Sequence, residues 1–199
     1  MPVLRKLASQ QKDMSLETAL GLLTSEFHEE RLLSLLIMVS LFNTGSQTEK
    51  HAVYIGYLEN TRFINNWDLV DCSAQHIVGA YLLTRNRRSI YRLARSKMLW
   101  ERRISIMSTF HFIKRNEFDD TLNLSERLKH DPEDLIHKAV GWMLREIGNR
   151  NQIIEENFLK IHYQDMPRTM LRYAIEKFPE KKRKAYLKGE IRVKKQVEA

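Results

Sequence analysis

Apolar residues recur at intervals of three and four along most of the chain, the spacing that lines one side of an α-helix. Sustained alternation of the kind a half-buried strand needs is missing. Glycine and proline, at 7 and 4 copies, interrupt the pattern rarely. The periodicity predicts helices over 2–10, 15–25, 28–42, 48–60, 67–84, 87–95, 98–114, 118–129, 132–149, 151–161 and 167–178, and almost no strand. Breakers fall between these segments. Asn43-Thr44-Gly45-Ser46 stops one helix, Asn65-Asn66 offers an N-cap ahead of Trp67, and Asp131-Pro132 and Met166-Pro167 each combine a cap with a helix start.

Paired helices with short links suggest a stack of hairpins, each burying its apolar face against its neighbours. Three segments strengthen that reading: Asn65-Asn66-Trp67-Asp68-Leu69-Val70-Asp71, Trp100-Glu101-Arg102-Arg103, and Val140-Gly141-Trp142-Met143-Leu144-Arg145-Glu146. Arg103 follows Trp67 by 36 positions and Trp142 follows Arg103 by 39, the length of one HEAT or armadillo hairpin. The expected fold class is therefore all-α, a right-handed superhelical solenoid of HEAT-like hairpins with a concave basic face. Residues 1–199 are expected to form one domain, with a basic C-terminal stretch over 180–199 that reads as a solvated final helix or a phosphate-contacting extension.

Within this frame Trp67 and Asp71 are four residues apart, so an aromatic face and a carboxylate share one helix surface. A tryptophan at a helix start beside carboxylates at 68 and 71 is a poor core design and a good cradle for a positively charged, planar guest. Asp68 is expected to serve the positive end of the helix dipole. Arg102 and Arg103, as neighbours, point about 100 degrees apart, so at most one of them faces Trp67. Trp100 and Trp142, taken alone, are more often core than contact residues.

Composition narrows the function classes. The chain carries 33 Lys plus Arg against 25 Asp plus Glu, a net charge of +8, which is compatible with a polyanionic partner. Cys72 is the single cysteine, so neither an intrachain disulfide nor a multi-cysteine zinc site can form, and a reducing, cytoplasmic location is expected. The longest apolar stretch, Leu32 to Phe42, is too short to span a bilayer. Histidines 28, 51, 76, 111, 130, 137 and 162 show no paired-ligand spacing, and no glycine-rich phosphate loop or nucleophile elbow is present. No metal, cofactor or membrane partner is expected.

The three segments resemble the signature helices of the HEAT-like-repeat DNA alkylation repair glycosylases, in order and spacing, over about residues 2–179. The resemblance implies excision of 7-alkylguanine and 3-alkyladenine from double-stranded DNA by a monomer working in the bacterial cytoplasm or nucleoid. It casts Asp71 as the catalytic carboxylate, Trp67 and Trp142 as the faces flanking the lesion's sugar and backbone, and Arg103, with Arg102 as the alternative, as the phosphate contact. Arg145 and Arg5 join the DNA-binding candidates, followed by Lys6, Arg85, Arg87, Arg88, Arg168 and Arg172. The tract 85–95 holds five arginines and reads more readily as a solvated outer helix. The resemblance also implies that the first repeat is incomplete, because family members carry about one further hairpin ahead of the segment matching Pro2 to Leu7.

Elementary chemistry agrees with that assignment. Alkylation at a ring nitrogen makes a purine cationic, so it departs as a neutral base without a general acid. What remains is stabilisation of a cationic sugar, a task for a carboxylate and electron-rich aromatic faces. The rival readings are a non-catalytic repeat scaffold that binds DNA and an armadillo-type protein-interaction scaffold. Asp71 discriminates, since a surface that only binds phosphate loses by placing a carboxylate at its centre.

Overall fold

The structure is a computed structural model and describes residues 2–11 and 14–191. Among these residues all regular structure is helical and no strand forms. The basic stretch is helical over Glu180–Lys188, and its last eight positions, 192–199, lie outside the described residues.

The chain divides into two compact units, 1–112 and 113–199. The first contains α1 (Pro2–Gln10), α2 (Leu16–Leu23), α3 (His28–Thr44), α4 (Gln47–Glu59), α5 (Trp67–Asp71), α6 (Ala80–Leu82), α7 (Arg88–Leu93) and α8 (Leu99–Ser108). A short α9 (Phe110–Ile113) leads out of it. The second contains α10 (Asp119–Leu128), α11 (Asp134–Gly148), α12 (Gln152–His162), α13 (Arg168–Ala174) and α14 (Glu180–Lys188).

Two expected continuous helices are broken. In place of one helix over 67–84, α5 ends at Asp71, a wide i→i+5 turn occupies Gln75–Gly79, and α6 follows. At the break the Ser73 hydroxyl donates to the Leu69 carbonyl at 2.5 Å and meets the Tyr57 hydroxyl at 2.9 Å, a buried pair that competes with the helical ladder, and the Ser73 N–H turns to the Val70 carbonyl three residues back. In place of one helix over 98–114, α8 stops at Ser108, where the hydroxyls of Ser108 and Thr109 donate to Ile104 and Ile106 carbonyls at 2.6 and 2.7 Å.

A repeated local architecture underlies both units. The helices α3, α5, α8, α11 and α13 have N-caps Phe27, Asn66, Met98, Glu133 and Pro167, at steps of 39, 32, 35 and 34 residues. The same bonds return at the same register. The N–H groups of Phe27, Met98 and Glu133 each donate to a side-chain oxygen two residues earlier, on Ser25, Ser96 and Asp131, at 3.0–3.1 Å. Four residues into the helix, Arg31 donates to the Ser25 and Glu26 carbonyls, Arg102 to those of Ser96 and Lys97, and His137 to that of Asp131. Ser34 and Ser105 both reach back fifteen residues to a buried carbonyl at 2.7 Å. The expected spacing in the thirties is thus present, although Trp67, Arg103 and Trp142 occupy three different positions within it.

In the first unit α3 is central, with Leu35, Ile37 and Met38 buried against α2, α1 and α4. In the second, α11 packs on α10, α12 and α13. Gly141 allows the last approach, because a Cβ there would overlap the Met170 carbonyl oxygen.

Glu155 of α12 is 2% exposed, and its carboxyl fills the space that a Cβ on Gly148 would need. Its Oε1 meets no hydrogen-bond donor among the described residues. Burial, then the charge of Glu156, pushes its pKa from 4.5 up to about 8. Between those values the folded chain holds a proton that the unfolded chain has released, so stability is full below pH 4.5 and falls as pH rises through 8. Glu155→Gln should flatten that fall, and thermal unfolding of both proteins from pH 5 to pH 9 measures it. Parallel curves would show that Glu155 is ionised in the fold.

Candidate functional site

Asp71 closes α5, and its neighbours Leu69 and Val70 anchor this short helix in the core. Its other end is set by Asn66, whose Oδ1 accepts the Trp67 N–H at 2.8 Å, and by Asp68. One Asp68 oxygen accepts the Leu69 N–H at 2.9 Å and the other meets His28 Nε2 at 2.8 Å. Asp68 thus fastens α5 to α3, and Trp67, locked at the first helical position, is 52% exposed. An indole exposed to that degree is not part of the core and leaves an aromatic face open to solvent.

From α8, Arg103 meets Asp71 in a two-point pair: Nε donates to Oδ1 at 2.9 Å and Nη2 to Oδ2 at 2.8 Å. The Arg103 side chain is 5% exposed and that of Asp71 14%. Burial pushes the Asp71 carboxyl up from the ordinary aspartate value, against the two Arg103 hydrogen bonds and the Arg103 charge, which pull it down. A carboxylate has about four lone-pair positions and this pair uses two, so Asp71 keeps acceptor capacity on its exposed edge.

The repeat register shows what is unusual here. Five residues past the N-cap, α3 carries Leu32, buried in the core; α5 carries Asp71 at that register and α8 carries Arg103. The position that is apolar and buried in α3 is thus ionic in α5 and α8, and in α11 and α13 it is filled by Lys138, which is partly exposed, and Arg172, which is exposed. Arg102 stands where Arg31 stands and does the same work, clamping the turn before its helix. The two neighbouring arginines are separated by geometry: Arg103 faces the carboxylate, while Arg102 donates to backbone carbonyls.

The remaining candidates are placed as follows. Arg5 on α1 is exposed, and its charge acts on the Cys72 thiol, the residue next to Asp71. In the second unit, Trp142 on α11 is half-buried, its indole N–H donating to Glu146 Oε1 at 3.2 Å. Arg145 is ion-paired with Glu176. Arg85 bonds Gln47 and the Tyr81 carbonyl, Arg87 the Leu82 and Leu83 carbonyls, and Arg168 the Leu187 carbonyl. Sequence reasoning missed His28 as the partner of Asp68, and nothing in the sequence marks a pair forty residues apart. It also missed Glu146, for which the i,i+4 spacing from Trp142 was an available signal. Among the described residues, no group of three or more His, Cys, Asp or Glu side chains is placed to hold a metal ion.

A family model described as DNA alkylation repair enzyme matches residues 1–178. No curated protein matches the chain. Among solved structures it is similar to the "Predicted DNA alkylation repair enzyme from Enterococcus faecalis", with a TM-score of 0.66 and 15% identity, covering 88% of this chain and 82% of that one. At that identity the likeness is one of fold.

Proposed function

The chain belongs to the DNA alkylation repair enzyme family, and from that premise we propose that it is a DNA glycosylase releasing cationic alkylated purines, 7-alkylguanine and 3-alkyladenine, from duplex DNA. The carrying observation is the desolvated Asp71–Arg103 pair beside the exposed Trp67. A buried ion pair seldom stabilises a fold more than the apolar residues it replaces. Its presence at a register that α3 fills with leucine therefore asks for a functional reason.

In this reading Arg103 is a positioning residue. Its two bonds fix the carboxylate plane, and its hydrogen bonds and charge oppose the upward push that burial exerts on the Asp71 carboxyl. Asp71 then stabilises the positive charge that develops on the sugar as the glycosidic bond breaks, and orients the attacking water. Trp67 offers an electron-rich face to the same charge, a contribution of about 0.5–2 kcal/mol. Trp142 is carried as a second aromatic candidate. The phosphate-contact role that the resemblance gives to Arg103 passes first to Arg5, which is exposed. A stack of HEAT-like hairpins is the architecture we assign to the repeated register, and the cytoplasm the compartment.

This mechanism uses no group to protonate a neutral leaving base, so release should be confined to bases that are already cationic. Purified protein incubated with duplexes carrying one 7-methylguanine, one uracil or one 8-oxoguanine should free only the first, as read by mass spectrometry of released bases. Efficient uracil release would defeat the mechanism. Binding of all three duplexes with no base released would return the chain to the scaffold reading.

A further inference from the structure

A second basic surface lies away from Asp71. Leu58 at the end of α4, Tyr91, Arg88, Arg92 and Arg95 on and after α7, and Glu101 at the start of α8 line an open groove of about 750 Å³. Glu101 and Arg103 are two residues apart on α8, about 200 degrees around it, so the groove and the Asp71 pair occupy opposite sides of that helix.

Two sets of guanidiniums in the first unit contrast, apart from Arg62, which lies over the Phe63 ring, and the exposed Arg5. Those of Arg31, Arg85, Arg87, Arg102 and Arg103 are held by carbonyls, an amide or a carboxylate. Those of Arg88, Arg92 and Arg95 take no partner among the described residues, and all three residues are exposed. The one carboxylate in the groove, Glu101, is already engaged, accepting a hydrogen bond from Thr61 Oγ1 at 2.6 Å. Three like charges gathered around one concavity repel each other, and a chain with 25 Asp and Glu could have paired them. Arg88 and Arg92, four apart on α7, share one helix face, and Arg95 lines the same groove from the turn that follows the helix.

We infer that this groove is a second nucleic-acid contact, binding the phosphodiester backbone of duplex DNA through Arg88, Arg92 and Arg95, independently of the lesion. The inference rests on the proposed DNA substrate and extends it. It assigns to the outer arginines a holding function, keeping DNA bound while the Asp71 side samples bases.

The test compares the full chain with two triple variants, Arg88→Ala/Arg92→Ala/Arg95→Ala and Arg88→Lys/Arg92→Lys/Arg95→Lys. Affinity for an unmodified duplex is measured across salt concentrations by fluorescence anisotropy. Each neutralised phosphate contributes about 0.9 to the slope of log affinity against log salt, so the alanine variant should lose up to about 2.7 and bind at least tenfold more weakly at moderate salt. The lysine variant should keep the slope. An alanine variant with the parental slope overturns this inference and leaves the glycosylase reading intact. A parent that binds no duplex overturns both. Thermal stabilisation of the parent, but not the alanine variant, by inorganic phosphate, combined with an unchanged duplex slope, would reassign the groove to a free phosphate and overturn the backbone contact.

Discussion

Asp71→Asn should lower single-turnover excision of 7-methylguanine by about a hundred- to a thousandfold while duplex binding is kept or tightened. The rate loss is that expected when one preorganised electrostatic contact to a transition-state charge is removed. Asparagine keeps the shape and one acceptor for Arg103, so the guanidinium stays close to its position. What disappears is the negative charge. Binding should not suffer, because a carboxylate facing phosphates is repulsive and because an Arg103 no longer neutralised adds to the attraction. Excision within about threefold of the parent would remove Asp71 from the chemistry. A fall in binding equal to the fall in rate would make it a binding residue instead.

Much of this site was legible in the sequence, and the reasons for the rest are physical. The i,i+4 relation of Trp67 and Asp71 and the Asn66 cap are local, and local geometry follows from helix periodicity. The pairing of Asp71 with Arg103 is not local. It depends on both residues standing five positions past their N-caps, and the caps are separated by 32 residues rather than the 36 that separate Trp67 from Arg103. Counting from the most visible aromatic and basic residues gave the right class of interval and the wrong register. The break after Asp71 was hidden for a related reason. Ser73 reads as an ordinary helical residue until the Tyr57 hydroxyl, sixteen residues earlier, is brought against it. Glu155 was invisible because burial of a single carboxylate follows from tertiary packing around Gly148, which hydrophobic periodicity does not report.

The double substitution Asp71→Leu/Arg103→Leu should give a protein at least as stable as the parent and inactive, whereas each single substitution should be costly. Arg103→Leu alone strands a carboxylate that is 14% exposed without its cation. Removing one partner of a buried pair typically costs about 3–5 kcal/mol. It also lets burial act on the Asp71 carboxyl without the opposing Arg103 hydrogen bonds and charge, so its pKa moves further up. Asp71→Leu alone removes the carboxylate that receives two hydrogen bonds from the 5% exposed Arg103 side chain. With both replaced there is no ion left to desolvate, and exchange of a buried pair for apolar side chains is often neutral or stabilising by about 1–4 kcal/mol. The chain supplies its own precedent, since Leu32 fills this register in α3 at 4% exposure. Urea unfolding of the parent, both singles and the double gives the coupling between the two sites. A double variant less stable than the parent by more than about 2 kcal/mol, the scale of a lost buried contact, would mean that the pair holds α5 to α8 as a structural element. A stable, inactive double variant would instead mean that the pair is retained at the expense of stability for the sake of the reaction.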